Sequence, residues 1–162
     1  MGYKVFIYFF IVSISLGSCF PAYNVSSKEY RNVKADFLKK KVFVTNKELK
    51  KEYEILRHSK IYEITNDTAY VTRIKLYHMK ISTPYCGNPI IGTVITAGLL
   101  PSYFPYNSSY SYDLIENNTT THHQYHIGVN QSFWLFNIFR LGKTFKRQSG
   151  KALLGSYVAS NK

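Results

Sequence analysis

The chain has 162 residues, of which 45% are hydrophobic and 19% charged, so it has the length of one domain and is too apolar for a disordered polypeptide. Its 21 Lys and Arg exceed its nine Asp and Glu, for a net charge of +12, and aromatic residues reach 17%. Two cysteines exclude a disulfide scaffold, and no apolar run approaches the roughly 18–20 residues of an ordinary membrane-spanning helix.

Residues 1–19 read MGYKVFIYFFIVSISLGSC. Lys4 gives a positive start, and the apolar run from Val5 to Leu16 has the length of a signal-peptide core. Its end, Leu16-Gly17-Ser18-Cys19, resembles the lipobox of bacterial lipoproteins: a branched apolar residue, two small residues, then Cys. The resemblance implies diacylglycerol on the Cys19 sulfur and cleavage just before it. An ordinary signal peptide cut after Ala22 is the competing reading. In that family an Asp after the Cys holds the protein at the inner membrane. Phe20 stands here, which implies the outer membrane. Losing Lys4 from 21 basic residues against nine acidic ones leaves the mature chain at +11. Cys86 then has no partner and reads as a small buried hydrophobe.

Residues 20–27, short and polar with a proline, read as part of a tether. Lys39-Lys40-Lys41 reads as a solvated basic run ahead of Val42-Phe43-Val44. Thr45 and Glu48 have capping-box spacing and predict a helix over 46–58, with Leu49, Tyr53 and Leu56 on one face. Residues 61–64 predict a short strand and Asn66-Asp67 a turn. Residues 69–79 alternate, setting Ile74 and Leu76 against Arg73 and Lys75, and predict a strand with one wet face. The nearly uncharged, β-branched run 90–100 predicts a buried strand, with Val94, Ile95 and Leu99 in the core. Residues 108–115 and 121–129 predict a hairpin joined by the polar loop 116–120.

The run from Val94 to Ser102 contains a TxGLxPS pattern, and a leucine-bearing helix ends at 54–64. Both resemble small bacterial envelope lipoproteins that mostly lack an assigned activity, over about residues 45–135. Lys60 stands where their SGxF motif has Gly. The resemblance implies no catalytic residue.

Catalytic chemistry finds little support. Gly142-Lys143-Thr144 ends like a phosphate-binding loop, but Asn137 stands where that pattern needs Gly, which argues against nucleotide binding. His122 and His126 would lie roughly 13 Å apart on a strand, too far to share a metal ion, and with His123 they read as strand histidines. Residues 117–162 contain no Asp or Glu, which leaves acid–base chemistry few partners. The sequons at Asn24, Asn66, Asn107, Asn117, Asn118 and Asn130 carry meaning only in a eukaryotic secretory pathway.

Residues 132–147 (SFWLFNIFRLGKTFKR) join an apolar stretch to a basic end and read either as core packing or as an interfacial membrane element. In the membrane reading, Trp134, Arg140, Lys143, Lys146 and Arg147 meet an anionic surface.

The expected fold class is α+β: an antiparallel β-sheet with one amphipathic helix packed on a face, after a cleaved N-terminal signal peptide. The expected organisation is a lipoprotein signal peptide at 1–18, a lipid-anchored tether at 19–27, an α+β domain at 28–131 and an apolar-basic segment at 132–162. The expected function is that of a non-enzymatic, membrane-anchored envelope lipoprotein, a structural, transport-accessory or binding protein at an anionic surface. A surface adhesin for host macromolecules is the alternative. Its partners would be the membrane, through the N-terminal diacylglycerol, and anionic lipid or an envelope polymer. No cofactor, metal, nucleotide or nucleic acid is expected.

Overall fold

The computed structural model describes residues 21–82, 91–96 and 99–161. The signal peptide, Cys19 and Cys86 lie outside the described residues. The fold is α+β, a mixed sheet with a few helices. Its strands are β1 (Pro21–Val25), β2 (Lys40–Val44), β3 (Tyr62–Thr65), β4 (Arg73–Leu76), β5 (Lys80–Ser82), β6 (Ser102–Glu116) and β7 (Thr119–Phe133). The helices are α1 (Lys50–Ser59), α2 (Ile91–Ile95) and α3 (Phe145–Ser160), with 3₁₀ turns at Glu29–Asn32 and Leu135–Arg140. The strand order is β1-β7-β6-β4-β2-β3, and β5 also pairs with β6.

The long hairpin β6–β7 is the spine of the sheet. Asn117 and Asn118 both have positive φ, 46° and 64°, the signature of a two-residue type I′ turn. Asparagine tolerates that region, so a tight turn replaces the expected five-residue loop and both strands run further than predicted.

Several expectations are corrected. The sheet is not wholly antiparallel, because β2 runs parallel to both β3 and β4. Helix α1 carries the chain back between β2 and β3, which forces their parallel pairing. Two helices, rather than one, contribute to the core, with Ile55 and Leu56 of α1 and Ala152 and Leu153 of α3 buried among Val42, Ile74, Tyr110, Tyr112 and Ile127. The supposed tether supplies β1, whose residues pair with β7 from Pro21↔Phe133 to Val25↔Val129. The capping box does not form. Thr45 Oγ1 instead donates to the Ile74 carbonyl at 3.2 Å, and Leu49 caps α1 without a side-chain bond. Asn46 extends the β2–β4 ladder by side chain, bonding the Leu76 N–H and C=O at 2.8 Å each. The strand contacts of Thr45 and Asn46 thus delay the helix to Lys50.

The predicted strand 69–79 is split. Leu76 pairs with Tyr112, but Lys80 pairs with Ser109, so one extra residue sits on the β4–β5 side. This bulge releases the Met79 N–H from the ladder. The buried Glu52 carboxylate accepts it at 3.0 Å, and the Glu52 carbonyl accepts the Tyr110 hydroxyl at 2.8 Å.

In the run expected as a buried strand, the described residues form α2 and a bend at Leu99–Leu100, and Val94, Ile95 and Leu99 are exposed. Beyond Asn107, both edges of β6 are already taken, by β7 on one side and β5 and β4 on the other. The composition of a short apolar run does not distinguish strand from helix.

Candidate functional site

At one end of the sheet Phe133 pairs with both Pro21 and Ser102. The two apolar segments flanking that end meet there. The Trp134 indole donates to the Leu99 carbonyl at 3.0 Å, and its ring packs edge-on against Phe136 at 5.0 Å. Below them the contacts are polar. Asn137 is buried and donates to the Ser132 carbonyl at 2.7 Å, while Ser132 donates to the Ala22 carbonyl at 3.2 Å. Thr93 contacts Ser102 and donates to the Leu100 carbonyl at 3.0 Å. These bonds fix the segments on the sheet and leave apolar side chains outside. Phe139 is 84% exposed, Ile95 78% and Val94 69%, with Ile138, Leu141, Leu99 and Leu100 also exposed. Such a patch is unusual on a soluble surface.

The expected basic residues border this region along the chain. Arg140 closes the 3₁₀ turn, and its carbonyl accepts the Lys143 N–H at 2.9 Å. The Lys143 carbonyl accepts the Tyr23 N–H at 2.9 Å, and its ammonium donates to Asn24 at 3.3 Å. Burial first, then the charge of Arg140, lowers the Lys143 pKa. Lys146 and Arg147 are exposed in the first turn of α3, which contains no acid. Cations there oppose the helix dipole, so their position is unfavourable for the helix itself. Residues 132–147 do not form one element: the 3₁₀ turn ends at Arg140, and α3 begins only at Phe145.

A second constellation lies on the opposite, solvent-facing side of the sheet from α1 and α3. The Tyr77 hydroxyl donates to Asp113 Oδ2 at 2.5 Å, and His122 Nδ1 bonds Asp113 Oδ1 at 2.6 Å. The Tyr77 and His122 rings meet edge-on at 5.8 Å. Sequence reading missed this trio, whose only signal is the hairpin register that sets Asp113 opposite His122. On the other face His123 stacks on Tyr112 at 5.2 Å. Among the described residues no three metal-binding side chains converge.

The Tyr77 hydroxyl, then the His122 ring, holds the Asp113 carboxyl below the ordinary carboxylate range. Burial, then neighbouring His122, holds His123 below an ordinary histidine. Burial, then Arg57, does the same for His58. A depressed folded-state pKa adds stability that is complete above the unfolded value and lost as pH falls through the folded one. Stability is therefore expected to fall in two acid steps, the first below about pH 6.5 and the second below about pH 4. Urea melts across pH should show His123→Phe reducing the first step and Asp113→Asn reducing the second.

No family model matches the chain, and no curated protein matches its sequence.

Proposed function

We propose that this protein is a non-enzymatic, lipid-anchored envelope protein whose apolar-basic end rests on an anionic membrane. The signal peptide, cleaved before Cys19, directs export, and the diacylglycerol on Cys19 anchors the protein at the outer membrane. The observation that carries the reading is the meeting of three features at one end of the sheet. Pro21, Trp134 and the 99–102 segment come together there, through the Phe133 pairings and the Trp134–Leu99 bond. Cys19 is two residues before Pro21, so a lipid on it is tethered within about 7 Å of that end. Phe139, Ile95 and Val94 would enter the interface, while Arg140, Lys143, Lys146 and Arg147 meet headgroups. Among the described residues no helix is long and apolar enough to cross a membrane.

Mass spectrometry of the mature protein should find a diacylglyceryl group on Cys19; an unmodified N-terminus at Tyr23 would refute the anchor. Surface contact is tested on residues 20–162 alone, because the lipid or an uncleaved signal peptide would bind vesicles by itself. Trp134 is the single tryptophan, so its emission reports on this end. It should shift to the blue with phosphatidylglycerol vesicles at low salt. Each basic residue at an anionic surface contributes on the order of 1 kcal/mol. Reversing the four charges should therefore weaken binding at least about a hundredfold. The sequence places Val94 in the core, where a charge would prevent folding, but Val94 is exposed. Val94→Asp should fold with an unchanged melt and bind vesicles more weakly. An emission spectrum indifferent to anionic vesicles would remove the membrane role.

A further inference from the structure

The solvent-facing side of the sheet carries a groove that the membrane reading leaves unused. One hollow of about 230 Å³ is lined by residues including Tyr77, Lys80, Ser111, His122 and Gln124. A second, of about 410 Å³, adjoins it, sharing Lys80 and Ser109 and adding His126. The groove follows from the bulge after β4, which breaks the strand's register at Tyr77–Met79 and carries Lys80 to a new position along β6.

Its chemistry is specific. Among the described residues no carboxylate lines either hollow. The nearby Asp113 engages both Tyr77 and His122, fixing the two rings edge to face at the groove's wall. Lys75 lies 5.9 Å from the Tyr77 ring centroid, and Lys80 lines both hollows, so the groove is electropositive. Across the strands the Gln124 amide donates to Ser109 Oγ at 2.8 Å, holding an amide and a hydroxyl together in the groove. Hydroxyls, an amide, ring faces and lysine suit a hydroxyl-rich, negatively charged chain. A peptide strand would need an open sheet edge, whereas β6, which runs through the groove, is paired with β5 on one side and β7 on the other.

We infer that this groove binds an acidic oligosaccharide, with Lys80 meeting its anionic group, Gln124, Ser109 and Ser111 meeting its hydroxyls, and the Tyr77–Asp113–His122 trio forming a fixed wall. Ser109 lies seven register positions along β6 from Ser102, so the groove is about 24 Å from the apolar end. It depends on no residue of the membrane proposal.

The test is calorimetry on the full chain in neutral detergent at low salt, with hexagalacturonate as a carboxylated probe and a sulfated carrageenan hexasaccharide as a second. Saturable binding of either probe, with no binding of neutral maltohexaose, is the expected result. Lys80→Ala with Gln124→Ala should weaken it at least about tenfold. His122→Gln should weaken it too, and Lys146→Ala with Arg147→Ala should leave it unchanged. Thermal melts confirm that each variant is folded. The inference is overturned when neither acidic probe binds saturably, when the groove variants bind like wild type, or when Lys146→Ala with Arg147→Ala loses as much affinity as they do. A single-stranded oligonucleotide bound as tightly, and lost in the same variants, would overturn it in favour of nucleic acid. Failure of vesicle binding leaves this experiment untouched, so the two readings fail separately.

Discussion

Gly150→Val is expected to lower the melting temperature by about 6–12 °C, corresponding to roughly 3 kcal/mol for a domain of this size. Gly150 lies where α3 crosses the end of α1. A Cβ at this position would come within 2.7 Å of His58 Cβ and 2.8 Å of both His58 C and Ser59 N. Two of these atoms are backbone, so no side-chain rotation relieves the clash and the helices must separate. Their separation would loosen the packing of Ile55, Leu56, Ala152 and Leu153, all fully buried. Removing a helical glycine gains about 1 kcal/mol at most, too little to offset this. Two other glycines provide the comparison. A Cβ at Gly155 would lie 2.4 Å from Tyr30 Cβ, but Tyr30 sits on a short 3₁₀ turn that can yield, so Gly155→Val should cost less. At Gly142 the nearest atom is the end of Arg147 at 3.4 Å, so Gly142→Val should be nearly neutral. Circular dichroism melts of the three variants check the order. A Gly150→Val melt within about 2 °C of wild type would show that α1 and α3 do not cross here.

Glu52→Ala is expected to cost about 2–3 kcal/mol in urea unfolding, far more than an exposed glutamate would. Glu52 is buried on α1, and its carboxylate accepts the Met79 N–H that the bulge withdraws from the sheet. Alanine leaves that N–H without a partner, at a cost of about 1–3 kcal/mol, and opens a space beside it. Glu52→Gln keeps an acceptor oxygen and should cost about 1 kcal/mol. Amide exchange at Met79 separates this mechanism from general loosening, since it should accelerate in the alanine variant and much less in the glutamine one. Equal stability of wild type and Glu52→Ala would mean that the bulge does not depend on the helix.

Legibility in the sequence followed the range of the interaction. Ile74 and Leu76 face the core opposite Arg73 and Lys75 because a strand alternates at every residue, a local rule visible in the chain. The hairpin is legible for the same reason, although Asn117 and Asn118 take left-handed positions that make its turn tighter than the expected five-residue loop. Lys60 also takes positive φ, 58°, at the end of α1, in the place where the resembled motif has Gly. The segment 91–95 forms a helix in place of the expected buried strand, because the apolar composition of a short run fits a core and a surface equally well. Of the candidate site residues, Trp134 is tied to Leu99 by a bond spanning 35 residues, a pairing that no local pattern announces.

The sequence by itself determined the α+β class, the alternating strands, the hairpin and the acid-free basic end, all properties of composition or of neighbours a few residues apart. Tertiary structure alone decided which apolar runs are buried, the parallel pairing of β2 with β3 and β4, the role of Pro21–Val25 as a strand, and the joining of Tyr77, Asp113 and His122. The physical reason is competition for a limited number of sheet edges and core positions. Many segments carry adequate propensity for them, and only long-range pairing and packing select which segment occupies each one.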